Sequence, residues 1–190
     1  MRNMIGVVVV ATLLSGLSAC DQKTQEAAKP VALFKPTATI QEIMTSIIDP
    51  NIDFVWNSTA VINTATGTEE RKPHTDEDWL AVRQHALVVL EASNLLLIEG
   101  RSVAAKGATT STKNSAEASP EEIKRTIDAK RADFIAYAHA LHDAVEQTIV
   151  AIDAKDATRL DNAGGAIDQV CEKCHKEFWY PKDKRPGDKS

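Results

Sequence analysis

Apolar residues recur along four stretches of the chain with the spacing of one helical face. In the first, Ile40, Ile43, Met44, Ile47 and Ile48 stand at i, i+3, i+4, i+7 and i+8, the stripe of an amphipathic helix. Thr39-Ile40-Gln41-Glu42 reads as its capping box, the threonine oxygen accepting from the Glu42 amide while the glutamate reaches back. Asp49-Pro50 is expected to interrupt or kink this helix, because proline lacks a donor and disfavours a helical residue before it. A short continuation through Phe54 and Trp56 follows. The second stripe starts near Thr75, with Asp78 three residues on, and runs through Trp79, Val82, Ala86, Val89 and Leu90 to Leu97, with Gly100 as its C′ stop. Ser119-Pro120-Glu121-Glu122 opens the third with an N-cap, a proline at N1 and an acidic N3. Its buried stripe is Ile123, Ile127, Phe134, Ala138, Leu141, Val145, Ile149 and Ile152. The fourth begins near Asp156 and passes Leu160, Ala163, Ile167 and Val170 before Cys171. Gly164-Gly165 inside it costs about 1 kcal/mol per glycine relative to alanine, which implies a packing reason such as close approach of a neighbour or a flat ligand. Residues 101 to 118 read as a long, mobile polar loop, and no strand alternation competes anywhere. The expected fold class is all-α, an antiparallel up-down-up-down four-helix bundle.

Composition narrows the function classes. The 190 residues are 26% charged and 43% hydrophobic with a net charge of −5, which excludes a basic nucleic-acid binder, a disulfide-stapled miniprotein and a polytopic membrane protein. Residues 1 to 19 combine Arg2 with an unbroken apolar run from Met4 to Leu14, too short for a comfortable membrane span and shaped like an export signal. Leu17-Ser18-Ala19-Cys20 resembles a bacterial lipoprotein signal, in which the cysteine is diacylated and becomes the new N-terminus. The alternative is a simple cleaved signal with an incidental Cys20. The resemblance implies lipid on Cys20, and Asp21 is similar to the residue that keeps lipoproteins on the inner membrane of Gram-negative cells. The expected organisation is therefore a signal over 1–19, a solvated tether over 20–38 and the bundle over 39–190, working in the periplasm. Met1 and Met4 leave with the leader, so Met44 is the sole methionine of the mature chain.

The chemistry lies in Cys171-Glu172-Lys173-Cys174-His175. On a helix the three ligating side chains share one face, which is the C-x-x-C-H pattern for covalent haem c, with two thioethers and an axial imidazole. Average residue frequencies put its accidental occurrence on the order of once in a thousand chains of this length. A zinc site would need two further ligands, and no second cysteine pair supplies them. A thioredoxin-like redox pair would sit at a helix start in a βαβ context, whereas this pair is near a helix end. One motif means one haem.

A motif near the C-terminus, on the last helix of a bundle, resembles the class II cytochromes c, the group of cytochrome c′ and its low-spin relatives. The resemblance covers roughly residues 37 to 181 and is also carried by Gln41 to Met44, Trp79, Asn94-Leu95-Leu96-Leu97 and Phe178-Trp179-Tyr180-Pro181. It implies a distal first helix with Met44 as the second axial ligand opposite His175, and pocket roles for Gln41 and Phe178. It also implies electron transfer rather than catalysis, with a redox protein as partner; many relatives are homodimers, and whether this chain dimerises stays open. One departure is Ile40, where many members carry an arginine beside a haem propionate. Alternatives remain for several residues. Met44 is equally at home as core packing on its apolar stripe, which would leave a five-coordinate haem that binds nitric oxide or carbon monoxide. Spacing lets His85, His139 or His142 face the core as a second imidazole, while His74 reads as a solvated loop residue. Phe178, Trp179 and Tyr180 read either as a lid over the proximal side or as ordinary packing. A third possibility is a subunit or docking module of a larger respiratory assembly.

Overall fold

The computed structural model describes residues 33–110 and 116–183; the expected signal over 1–19, the lipidation site Cys20 and most of the tether lie outside the described residues. The chain is mostly helical. Its elements are α1 (Ile40–Ile43), a π-helical turn (Met44–Ile48), α2 (Asp49–Asn57), β1 (Ala60–Thr64), β2 (Gly67–Arg71), α3 (Asp76–Leu95), α4 (Pro120–Ala129), α5 (Arg131–Asp153) and α6 (Ala157–Phe178). Among the described residues no helix is long and apolar enough to cross a membrane.

The start signals work as their chemistry requires. Thr39 and Glu42 form a reciprocal capping box at α1, with the Glu42 N–H donating to Thr39 Oγ1 at 3.1 Å and the Thr39 N–H to the Glu42 carboxylate at 2.8 Å. Thr75 with Asp78 and Ser119 with Glu122 repeat the device at α3 and α4, and the Asp156 carboxylate accepts from the Arg159 N–H at 2.9 Å to cap α6. Each satisfies backbone donors that the first turn of a helix leaves open.

Three expectations are corrected. The first helix is interrupted and continues through Phe54 and Trp56, but the break is a π turn before the proline rather than a kink at Asp49-Pro50. Pro50 cannot donate, and its ring crowds the carbonyl four residues back; the chain responds by widening into the π turn just before it, where the Asp49 N–H reaches back to the Met44 carbonyl. The widened repeat brings Ile43 and Ile48, five residues apart, both into the core, while Met44 between them is only half-buried. The third helix is two helices. Its apolar stripe has a gap at Lys130 and Arg131, where the backbone leaves helical geometry at φ −122°, ψ 42°. There Lys130 pairs with Glu177 and an Arg131 guanidinium N–H donates to the Leu97 carbonyl at 2.8 Å. Finally, an antiparallel hairpin of β1 and β2 runs in the register Ala60↔Arg71 to Thr64↔Gly67. No face of it is buried, so no alternation of apolar and polar residues betrays it.

Residues 101–110 and 116–118, the described parts of the expected loop, are also less free than their polar composition implies. The carbonyls of Ser102 and Val103 accept from the Ile40 and Gln41 amides, both at 2.9 Å, completing the N-terminal cap of α1. Val103, Glu117 and Ala118 are buried.

The core lies where α3 packs on α5, α5 on α6, and α2 on both α3 and α6. Ile43, Val89, Val145, Ile167 and Phe178 are fully enclosed there. Gly164 has the packing reason that its position in α6 demands: a Cβ there would stand 3.0 Å from Trp56 Cδ1. The close neighbour is thus an indole of this chain, which donates from Nε1 to the Gly164 carbonyl at 3.0 Å.

Candidate functional site

The residues singled out by the C-x-x-C-H pattern occupy the last two turns of α6 and open onto a cavity of about 360 Å³, within the roughly 300–1,000 Å³ of cofactor pockets. Cys171, Cys174 and His175 line it from α6, and Met44, Ile48, Ile52 and Trp56, each four residues from the next, line it from the π turn and α2. Phe134, Tyr137, Ala138 and Leu141 on α5, with Leu96 after α3, complete an apolar lining. Phe134, Tyr137 and Phe178 form an aromatic cluster, with Phe178 edge-on to the other two at centroid distances of 5.4 and 6.1 Å.

The motif helix stops directly behind its histidine. Trp179 and Tyr180 N–H groups both donate to the His175 carbonyl at 2.8 Å, and their rings stand edge-on to the imidazole at 6.1 and 6.4 Å. The aromatic cluster is therefore divided: Trp179 and Tyr180 flank His175, while Phe178 is core.

Burial governs the protonation of the site. It pushes the Cys171 thiol up to about 11, helped by Asp168, Asp49 and Glu172, and the Cys174 thiol up to about 12, helped by Cys171 and Glu177. Both are free cysteines and protonated at neutral pH, the reverse of the depressed thiol that disulfide-exchange chemistry needs. Burial also lowers the pKa of His175, against the opposing pull of Asp49 and Glu172, so the imidazole is neutral, its ligating form. Desolvation raises Asp49, the nearby His175 opposing and Asp53 reinforcing the shift. Asp49, Asp53, Asp168 and Glu172 all line the cavity, and no lysine or arginine does so among the described residues.

A compact tetrahedral metal centre does not match this geometry. Among the described residues, three or more histidine, cysteine or carboxylate ligand atoms come within 4.8 Å of one another only at His142, Asp143 and Glu146 on α5, away from the cavity. The two thiols and the imidazole are instead spread along the α6 wall of the cavity.

The cavity thus unites Cys171, Cys174, His175 and Met44. It does not reach Gln41, whose N–H is spent on the Val103 carbonyl, or Phe178, which is enclosed behind Phe134 and Tyr137. None of the other histidines lines it. His85 stacks on Phe54 at 3.9 Å and pairs through Nδ1 with the Asn51 side chain at 2.7 Å; His74 and His139 are exposed and His142 is half-buried. Sequence reasoning missed Asp49, Asp53 and Trp56. The signal was present, since Asp49 and Asp53 are four apart and each adjoins a residue of the Ile48, Ile52 row. Comparison of the chain with protein-family models, curated proteins and solved structures finds no match in any of the three.

Proposed function

We propose that this chain is a lipid-anchored, periplasmic c-type cytochrome of the class II kind, an antiparallel up-down-up-down four-helix bundle that carries single electrons without acting on a bound substrate. The observation that carries the reading is one cavity lined by all three residues of the C-x-x-C-H motif and, from a separate helical segment, by the only methionine among the described residues. Haem c, when bound, supplies the one-electron couple.

The roles of the side chains follow from their chemistry. Cys171 and Cys174, both free thiols on the cavity wall, would hold haem c covalently through two thioether bonds. His175 offers a neutral imidazole held against Trp179 and Tyr180. Met44 offers a soft, uncharged thioether, the kind of ligand that favours ferrous iron and raises the potential. Ile48, Ile52, Phe134 and Leu141 exclude water, and their packing keeps the surroundings nearly unchanged between oxidation states. The lipid on Cys20 and the tether hold the domain at the inner membrane, within reach of a protein redox partner.

Optical spectra of both oxidation states test this reading. A low-spin spectrum that becomes high-spin in Met44→Ala is the expected result. A high-spin ferrous form that takes up carbon monoxide at once, unchanged by Met44→Ala, would replace electron transfer with gas binding. Cys20→Ala should release the protein into the soluble periplasmic fraction.

A further inference from the structure

Beside the cavity lies a second one of about 400 Å³, lined by Val55, Thr59, Leu160, Asp161, Gly164 and Gly165 together with two residues of the first, Trp56 and Asp168. Trp56 therefore belongs to both walls. Its indole is laid on α6 at Gly164, pinned by the 3.0 Å hydrogen bond from Nε1 to the Gly164 carbonyl. The contact is tight, because a Cβ at Gly164 would meet Cδ1 at 3.0 Å and Nε1 at 3.4 Å, so that the indole would have to give by a few tenths of an ångström. The neighbouring Gly165 has nothing within 4 Å of its own Cβ position. A glycine in mid-helix costs stability, and at 164 that cost is matched to the seating of one indole.

We propose that Trp56 is a door between the two cavities, and that small uncharged ligands reach the Met44 side of the inner cavity by way of the outer one when the indole lifts from Gly164. The passage selects neutral molecules, because Asp161 and Asp168 stand in the outer cavity, Asp49, Asp53 and Glu172 in the inner one, and no lysine or arginine lines either among the described residues. An anion entering this space meets carboxylates without a compensating cation. The proposal rests on the reading of the inner cavity as the haem site.

The test uses the full chain with its haem, in a Met44→Ala background that frees the sixth position, with carbon monoxide on the ferrous form as the neutral probe. Trp56→Ala and Gly164→Ala should each raise the association rate about tenfold, the first by removing the door and the second by forcing it off its seat. Asn162→Ala, exposed on α6 and lining neither cavity, should leave the rate as it was. Rates for Trp56→Ala and Gly164→Ala equal to that of the background overturn the door. Azide on the ferric form should gain less than carbon monoxide in the same variants; an equal gain overturns the selection by charge. A chain that purifies without covalent haem defeats the haem reading by itself, and the door is then read on the haem-free protein labelled with 5-fluorotryptophan. There Gly164→Ala should move the fluorine resonance that Trp56→Phe deletes while Asn162→Ala leaves it in place, and an unmoved resonance in Gly164→Ala overturns the pinning.

Discussion

The two helical walls of the cavity are built in opposite ways. α6 is one uninterrupted α-helix of 22 residues, capped by Asp156, that carries Cys171, Cys174 and His175 at i, i+3 and i+4 and ends immediately behind them. The facing wall is made of a four-residue α-helix, a five-residue π turn and a nine-residue α-helix. Regularity on α6 keeps two thiols and an imidazole on one face by spacing alone. Irregularity on the other wall sets Ile43 and Ile48 together in the core while Met44 turns toward the cavity, whereas an unbroken α-helix would place the two isoleucines at opposite edges of one apolar stripe. A motif that acts as a unit asks for a regular element, whereas a single residue that must leave a core stripe asks for a local defect.

Perturbing each wall sharpens that contrast. The largest effect belongs to the motif. Cys174→Ala leaves one thiol, and the haem retained after acid and organic extraction should fall sharply; an undiminished yield would mean that the second cysteine is not used. On the broken wall, Ile43→Ala should cost roughly 2–5 kcal/mol, seen as a lower urea midpoint at unchanged slope, because Ile43 is fully enclosed despite the π turn beside it. A loss below about 1 kcal/mol would show that this wall yields where α6 does not. The hydrogen bond that joins the walls is smaller: Trp56→Phe keeps the ring packing and loses the Nε1 donor, at about 1 kcal/mol in the same measurement. On the regular wall, Gly165→Ala should stabilise by up to about 1 kcal/mol, since its side chain would point into open space.

The smallest effect is in pH dependence, at the start of the broken wall. The Thr39 N–H and hydroxyl hold the Glu42 carboxyl below its ordinary value of 4.5. Below that value the unfolded chain binds more protons than the folded one, so the contribution of Glu42 to stability is complete above about 4.5 and is lost as the pH falls through the lower folded value. Glu42→Gln should therefore make the acid limb of the stability curve shallower and leave its slope near neutrality unchanged.

Much of this was legible in the residues themselves. The four helical starts at Thr39, Thr75, Ser119 and Asp156 each combine a side-chain acceptor with the right neighbours, and a cap is a local interaction that spacing alone describes. The motif was legible for the same reason. The π turn, the break at Lys130 and the hairpin were not. The first answers a proline within the constraints of a core, the second depends on Leu97 and Glu177 far along the chain, and the third buries no face and so writes no apolar pattern.

By itself, then, the amino-acid sequence determined the helical periodicity, the caps and the presence of two thiols and an imidazole on one helical face, because these depend on residues within a turn or two of one another. Only the tertiary structure decided that Met44 meets that face across a cavity and that Gly164 makes room for Trp56. It also set carboxylates from α2 and α6 around the same space, because those relations join residues more than a hundred positions apart and are settled by how the walls pack.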